Sequence, residues 1–194
     1  LGGAGTEETI LKSGRVSRPA DLTPDGRTLL CVSRDLDFGK NSSLILFSLA
    51  DGKVTPWSSS SANESAGRLS SDGRWIAYAS NESGQNEVYV QRFPARGERW
   101  RVSTSGGATP VWRADGREIF YVVQDREVMA VSFRAEPTVE IGVPVALFRA
   151  QLQPGGSTAS YDVTADGQRF LVDRQLQAQG RTSITLDQGW TPPR

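Results

Sequence analysis

A turn signal followed by an apolar run occurs four times in the 194-residue chain, and this repeat constrains the fold more than any other feature. Each copy ends in Asp-Gly, which suits a tight turn because glycine tolerates positive φ and aspartate bonds its own backbone. The four aspartates, Asp25, Asp72, Asp115 and Asp166, are 47, 43 and 51 residues apart. That period is typical of propeller blades of four strands each.

The residues after each turn repeat as well. A polar residue or two precedes an apolar run without alternation, which predicts a strand that is buried on both faces. The four runs are RTLLCVS, RWIAYAS, REIFYVV and QRFLVD. A third strand is predicted about ten residues later in each unit, and a fourth in the first three units, at KVTPW, RWRVS and PVALF. The sequence therefore predicts an all-β propeller of four-stranded antiparallel blades.

The repeat predicts one domain over residues 1–194. Its four blades are expected at about 18–60, 61–105, 106–152 and 153–190. The last unit lacks a fourth strand, and we expect the β-compatible residues 7–14 (EETILKSG) to complete it, because ring closure removes exposed sheet edges. Two geometries remain open. We favour a closed four-blade monomer, because residues 7–14 supply the strand that the last unit lacks. The alternative is a segment of a larger ring, which a second copy or the rest of a longer protein would complete.

The composition removes several classes of function. The chain has no histidine, so it contains no Ser-His-Asp triad, His-ligated zinc or imidazole proton shuttle. Lysine plus arginine equals aspartate plus glutamate at 22 each, which gives no net field to attract nucleic acid or anionic lipid. The lone cysteine, Cys31, lies in an apolar run and is predicted to be a core residue. We therefore expect a noncatalytic domain with no cofactor, no nucleic-acid partner and no segment inserted in a membrane.

Two local patterns invite a binding interpretation. Asp35, Asp37 and Asn41 alternate oxygen-bearing side chains that calcium favours, but the EF-hand spacing is absent, so a polar connection between strands is the simpler interpretation. Residues 92–101 combine four arginines with two aromatic rings, a pattern that also occurs in single-strand nucleic-acid binding. In the repeat these residues fall on outer strands, where long cations commonly cover apolar surface.

The repeat resembles a known family. SSDGRWIAYASNESGQNEVYVQRFP, followed by TSGGATPVWRADGREIFYV, is similar to the TolB-like β-propeller repeat, in which a Ser-Pro-Asp-Gly turn precedes an apolar strand. Thr23-Pro24-Asp25-Gly26 matches that turn best, and the resemblance covers about residues 18–190. It implies a propeller fold and leaves the function open.

The end of the chain resembles a narrower group. SITLDQGWTPPR is similar to the end of the propeller segments that follow the kinase domain of bacterial serine/threonine kinases, with Gly189 in place of the usual asparagine before Trp190. This resemblance implies an extracytoplasmic or periplasmic sensor or scaffold. The alternatives are the gating propeller of a prolyl-oligopeptidase-type serine peptidase, whose hydrolase domain would lie outside this chain, and a carbohydrate-binding or lyase propeller.

The expected binding surface is an axial face of the propeller. Loops and inner-strand ends of several blades converge there, and loops on a rigid scaffold commonly carry function. The candidate residues near the inner strands are Arg18, Arg68, Trp112 and Tyr161. We expect them to bind a protein, a peptide or a small ligand.

Overall fold

The computed structural model describes residues 15–35, 42–58, 60–124, 127–150, 152, 161–174 and 183–187. Within these ranges every regular element is a β-strand, and the strands form four antiparallel sheets in chain order. This arrangement confirms the predicted all-β fold. Each sheet is called a blade below.

Blades 1 to 3 each have four strands in sequential order, and blade 3 has one further short strand. Blade 1 contains β1 (Arg15–Leu22), β2 (Thr28–Asp35), β3 (Ser42–Ser48) and β4 (Val54–Pro56). Blade 2 contains β5 (Glu64–Leu69), β6 (Trp75–Ser80), β7 (Glu87–Arg92) and β8 (Arg99–Arg101). Blade 3 contains β9 (Ala108–Trp112), β10 (Glu118–Val123), β11 (Glu127–Arg134), β12 (Glu140–Ile141) and β13 (Val145–Arg149). Blade 4 contains β14 (Tyr161–Val163), β15 (Phe170–Arg174) and β16 (Ser183–Asp187).

The Asp-Gly turns join the first and second strands of every blade, as predicted. In each turn the aspartate accepts a hydrogen bond of 3.0 Å from the backbone N–H two residues later. In the first turn the Thr23 hydroxyl also donates to Asp25 at 2.6 Å, and these two bonds lower the pKa of Asp25. Gly26 has a φ of 69°, a left-handed conformation that side chains disfavour. The repeated Asp-Gly sequence therefore forms the same kind of turn in all four blades.

Consecutive blades stack face to face through three apolar clusters. Leu30, Leu44, Trp57, Ile76 and Tyr78 belong to the cluster between blades 1 and 2. Trp75, Val88, Trp112, Ile119 and Phe133 belong to the cluster between blades 2 and 3. Phe120, Val128, Tyr161, Phe170 and Val172 belong to the cluster between blades 3 and 4. Because the middle strands contribute to clusters on both faces, their sequences are apolar without alternation.

Two details differ from the sequence prediction. The first inner strand begins at Arg15, ahead of the expected position near residue 18. The fourth strand of blade 3 is divided into β12 and β13, which both pair with β11. Residues 142–144 (Gly-Val-Pro) separate the two pieces, because glycine weakens a strand and proline cannot donate to the ladder.

Closure of the ring stays a prediction. Residues 7–14, which were expected to complete the last blade, lie outside the described residues. Within the described residues β16 pairs only with β15, so blade 4 has three strands there.

Candidate recognition site on the turn face

Hydrogen bonds from side chains link the inner strands of consecutive blades. Arg68 Nη1 donates to Ala20 O at 3.0 Å, and Trp112 Nε1 donates to Arg68 O at 3.0 Å. The Tyr161 hydroxyl donates to Thr109 O at 2.9 Å. Each donor reaches back to the inner strand of the preceding blade. Three of the four predicted site residues therefore hold neighbouring blades together.

These contacts limit what the predicted residues present to a partner. The rings of Trp112 and Tyr161 are buried, and burial raises the pKa of Tyr161 well above its ordinary value. Arg68 is half-buried, whereas Arg18 is exposed on β1. The structure brings Arg68 and Trp112 together through their hydrogen bond and places Arg18 outside these links. Their role in binding stays a prediction.

A cleft of about 850 Å³ opens between blades 2 and 3, on the axial face that carries the Asp-Gly turns. We call this the turn face and the opening the turn-face cleft. Its walls come from the turns of both blades, the end of β11 and the connection to β12. The lining residues include Ser70, Asp72, Arg74, Trp75, Arg113, Asp115, Arg117, Glu118, Phe133, Arg134, Glu136, Glu140 and Ile141.

The floor of the turn-face cleft is aromatic. The rings of Trp75 and Phe133 meet edge to face with centroids 5.1 Å apart, and the Trp112 ring meets Phe133 in the same way at 5.2 Å. Trp75 and Phe133 line the cleft, and all three rings are buried in the core between blades 2 and 3. Because the core restrains these rings, the floor is held in place before any partner binds.

The rim of the cleft is charged and internally paired. Arg113 bonds Asp115 at 2.6 Å and Glu118 at 3.0 Å, and the hydrogen bond from Arg113 is the main cause of the lowered pKa of Asp115. Arg74 pairs with Asp72 at 2.7 Å in the neighbouring turn. Both charge signs therefore surround an apolar floor. Such a surface suits noncovalent binding of an amphipathic segment.

None of the four candidate residues predicted from the sequence lines this cleft. Phe133 and Ile141 come from the third strand of blade 3 and the short strand after it. The available signal is a pair of aromatic residues in strands of neighbouring blades: Trp75 follows the turn of blade 2, and Phe133 lies near the end of the third strand of blade 3. Only the packing of one blade on the next brings them together.

The other local patterns have structural explanations where the structure describes them. Cys31 is buried, as predicted for a core residue, and burial raises the pKa of its thiol. Arg92 lies over the Trp75 ring at 4.6 Å and Arg99 over the Tyr89 ring at 5.6 Å, so these cations cover aromatic surface. Residues 36–41, which include most of the candidate calcium loop, lie outside the described residues.

The described ranges contain neither a metal-binding cluster nor a membrane-spanning helix. No group of three or more cysteine, aspartate or glutamate side chains in this part of the chain is placed to hold a metal ion. In the same part of the chain, no helix has the length and apolar character needed to cross a membrane.

Four antiparallel sheets stacked face to face, each with a tight turn between its first and second strands, define this chain as a β-propeller. TolB from Acinetobacter baumannii superposes with a TM-score of 0.70 at 20% identity, over 93% of this chain and 43% of that one. The β-propeller domain of the Trilobed protease from Pyrococcus furiosus superposes with a TM-score of 0.53 at 14% identity, over 94% and 56%. A puromycin-hydrolyzing peptidase of Mycobacterium tuberculosis gives 0.63 at 17% identity, over 89% and 30%.

These similarities establish the fold alone. No family model and no curated protein sequence matches the chain. The chain spans less than two thirds of the length of each of the three structures. The predicted β-propeller fold is confirmed, and a TolB protein is among the structures that the chain resembles, whereas a link to kinases rests on sequence resemblance.

Proposed function

We propose that this chain is a noncatalytic recognition domain that binds a segment of a partner protein in the turn-face cleft. The observation that carries the proposal is the aromatic floor of Trp75 and Phe133 beneath a rim of both charge signs. The volume of about 850 Å³ lies within the range of about 300–1,000 Å³ that is typical of binding pockets.

The geometry favours a polypeptide ligand. An apolar side chain can rest on the small parts of the floor that Trp75 and Phe133 leave exposed, 3% and 5% of each residue, so the polar rim provides the larger contact area. The flanking charges of the same segment can exchange with the ion pairs of the rim, because exposed ion pairs contribute little to stability. Arg117 is exposed on the rim and is available for such a contact.

The absence of histidine and the state of the rim carboxylates support a noncatalytic role. A general acid at neutral pH needs a raised pKa, but the pKa of Asp115 is lowered by its hydrogen bond from Arg113. The carboxylate of Asp115 is therefore ionised and already engaged by an arginine. Its chemistry suits positioning and recognition.

Selection of random peptides displayed on phage tests this proposal. Peptides selected on the wild-type protein should share an aromatic or bulky apolar residue beside an acidic one, which contacts Arg117. They should bind Arg117→Glu about tenfold more weakly, a difference of about 1.4 kcal/mol. Arg27→Glu is the matched control, because Arg27 follows the turn of blade 1 as Arg117 follows that of blade 3, and it does not line the cleft.

Two outcomes would contradict the proposal. One is a selection that enriches no sequence above background on the folded wild-type protein. The other is a set of peptides that bind Arg117→Glu and Arg27→Glu equally well, which would locate binding away from the cleft.

The finer assignment is to the sensor part of a larger extracytoplasmic receptor kinase. Its support is the resemblance of SITLDQGWTPPR to the ends of such kinase propellers. The sequence of the surrounding gene tests it: a kinase domain and a membrane helix upstream support the sensor. A hydrolase domain with a nucleophile elbow and histidine supports the peptidase alternative instead.

A further inference from the structure

The interface between blades 1 and 2 contains a carboxyl group that is nearly inaccessible to water. Glu64 begins β5 and is 1% exposed. The Ser58 hydroxyl donates a hydrogen bond to its carboxyl group, but the Oε2 atom has no partner in the structure. The nearby indole Nε1 of Trp57, the residue before Ser58, is also buried without a partner. An ionised carboxylate in such a place is costly, because buried charge requires full compensation.

The charged neighbours of Glu64 do not outweigh its burial. Arg96 and Arg99 attract the carboxylate, whereas Glu82 repels it. Arg99 is itself engaged, since it bonds both Glu82 and the Tyr78 hydroxyl. Burial therefore dominates and raises the pKa of Glu64 above its ordinary value of 4.5. Tyr78 faces the same group, and burial, together with the negative charge of Glu64, raises its pKa to about 12.

Glu87 provides an internal comparison, because it is equally buried in the same blade. Its carboxylate accepts hydrogen bonds from the Ser103 hydroxyl, from the Gln85 side-chain amide at 2.7 Å and from the Gly106 N–H at 3.2 Å. Several donors therefore compensate the charge of Glu87, as is usual for a buried carboxylate. Glu64 lacks such a set of donors, so the two glutamates differ in partners and not in exposure.

We propose that the contact between blades 1 and 2 is proton-sensitive: Glu64 is uncharged when the two blades pack tightly, and its ionisation weakens that contact. The affected contact is the cluster that contains Trp57 and Tyr78, whose rings meet edge to face at 5.4 Å. This inference is independent of the proposed recognition function, because Glu64 does not line the turn-face cleft.

The direction of the effect follows from linkage. The folded state holds the Glu64 proton more tightly than the unfolded state, in which the pKa is near 4.5. The stability that this group contributes is fully present below the unfolded pKa and is lost as the pH rises through the raised folded pKa. The turn aspartates act in the opposite direction, because their lowered pKa values make the turns weaker as the pH falls.

Urea denaturation of the wild-type protein and Glu64→Gln from pH 4 to pH 8 tests the proposal. The glutamine keeps the shape and cannot ionise, so the urea midpoint of the variant should rise relative to wild type as the pH increases. Between the unfolded and the folded pKa of Glu64, each pH unit changes the ratio of the unfolding constants of wild type and variant by up to a factor of about ten. Glu87→Gln is the matched control: it replaces an equally buried carboxylate that accepts three hydrogen bonds, so it should lower the midpoint.

Hydrogen exchange tests whether the effect is local. Compared with Glu64→Gln at pH 7.5, the wild-type protein should exchange faster in β3 and β5, with no difference in β10. The two proteins should agree at pH 4.5. A midpoint difference that does not change with pH, or equal exchange at both pH values, overturns the proposal.

An NMR titration of the wild-type Glu64 carboxyl carbon needs no variant. A midpoint above 4.5 supports the proposal, and a midpoint at or below 4.5 overturns it. This measurement decides the question even if Glu64→Gln does not fold.

Discussion

Phe120 in blade 3 and Leu171 in blade 4 occupy the same place in the repeat but have different surroundings. Each lies four residues after the turn glycine, and in blades 1 to 3 the side chain at this position joins the cluster shared with the next blade along the chain. Phe120 is fully buried, with its ring 5.1 Å from that of Phe170, whereas Leu171 is 43% exposed. Leu30 and Ala77, the equivalents in blades 1 and 2, are also fully buried. Burial at this position therefore depends on the neighbouring blade and not on the repeat itself.

The contrast extends two residues further along the same strands. Val32, Ala79 and Val122 are apolar and buried in blades 1 to 3, whereas blade 4 has the partly buried Asp173 there. A charged aspartate at this position of blade 4 contrasts with the apolar residues at the same position of the other three blades. The outer face of blade 4 thus differs from the interior faces in sequence as well as in exposure.

The largest effect is expected for Phe120→Ala. The substitution removes a fully buried ring that contacts Phe170, so we expect the free energy of unfolding to fall by about 3–5 kcal/mol. Urea denaturation measures the change. A loss below about 1 kcal/mol would mean that the face between blades 3 and 4 is not a core.

An intermediate effect is expected for Gly73→Val in the turn of blade 2. The positive φ of 67° should cost about 1–3 kcal/mol, and an added Cβ would lie 2.9 Å from Pro24 Cδ in the turn of blade 1. Gly26→Val is the matched control, because Gly26 has a φ of 69° but no neighbour near its added Cβ. The difference in unfolding free energy between the variants measures contact between adjacent turns. Equal losses would show that the turns do not touch in solution.

The smallest effect is expected for Leu171→Ala. Because nearly half of this side chain is already exposed, we expect a loss of about 1 kcal/mol or less in the same denaturation assay. A loss as large as that of Phe120→Ala would remove the contrast between the blades. It would show that another blade or a second copy covers Leu171 in solution.

The sequence predicted the turns and the middle strands because those signals are local. Asp25 and its counterparts bond their own turns, so their geometry needs no distant partner. The sequence does not show the division of the last strand of blade 3, because β13 pairs with β11 residues that lie 15 to 22 positions away in the chain. The cleft was missed for a similar reason: Trp75 and Phe133 are separated by more than one repeat.

The candidate inner-strand residues show the limit of arguing from position alone. The repeat places Trp112 and Tyr161 near the axis, and they do lie on inner strands. Their polar atoms, however, bond the preceding blade. A side chain's place in a repeat does not say whether it faces solvent or the next blade.

The sequence by itself determined the repeat, the strand order and the antiparallel sheets, because glycine, aspartate and apolar runs act over a few residues. The tertiary structure alone decided which equivalent positions are buried, which carboxyl group lacks a partner and where a cleft opens. The physical reason is that burial and desolvation depend on the blade packed opposite, whose residues lie a full repeat away along the chain.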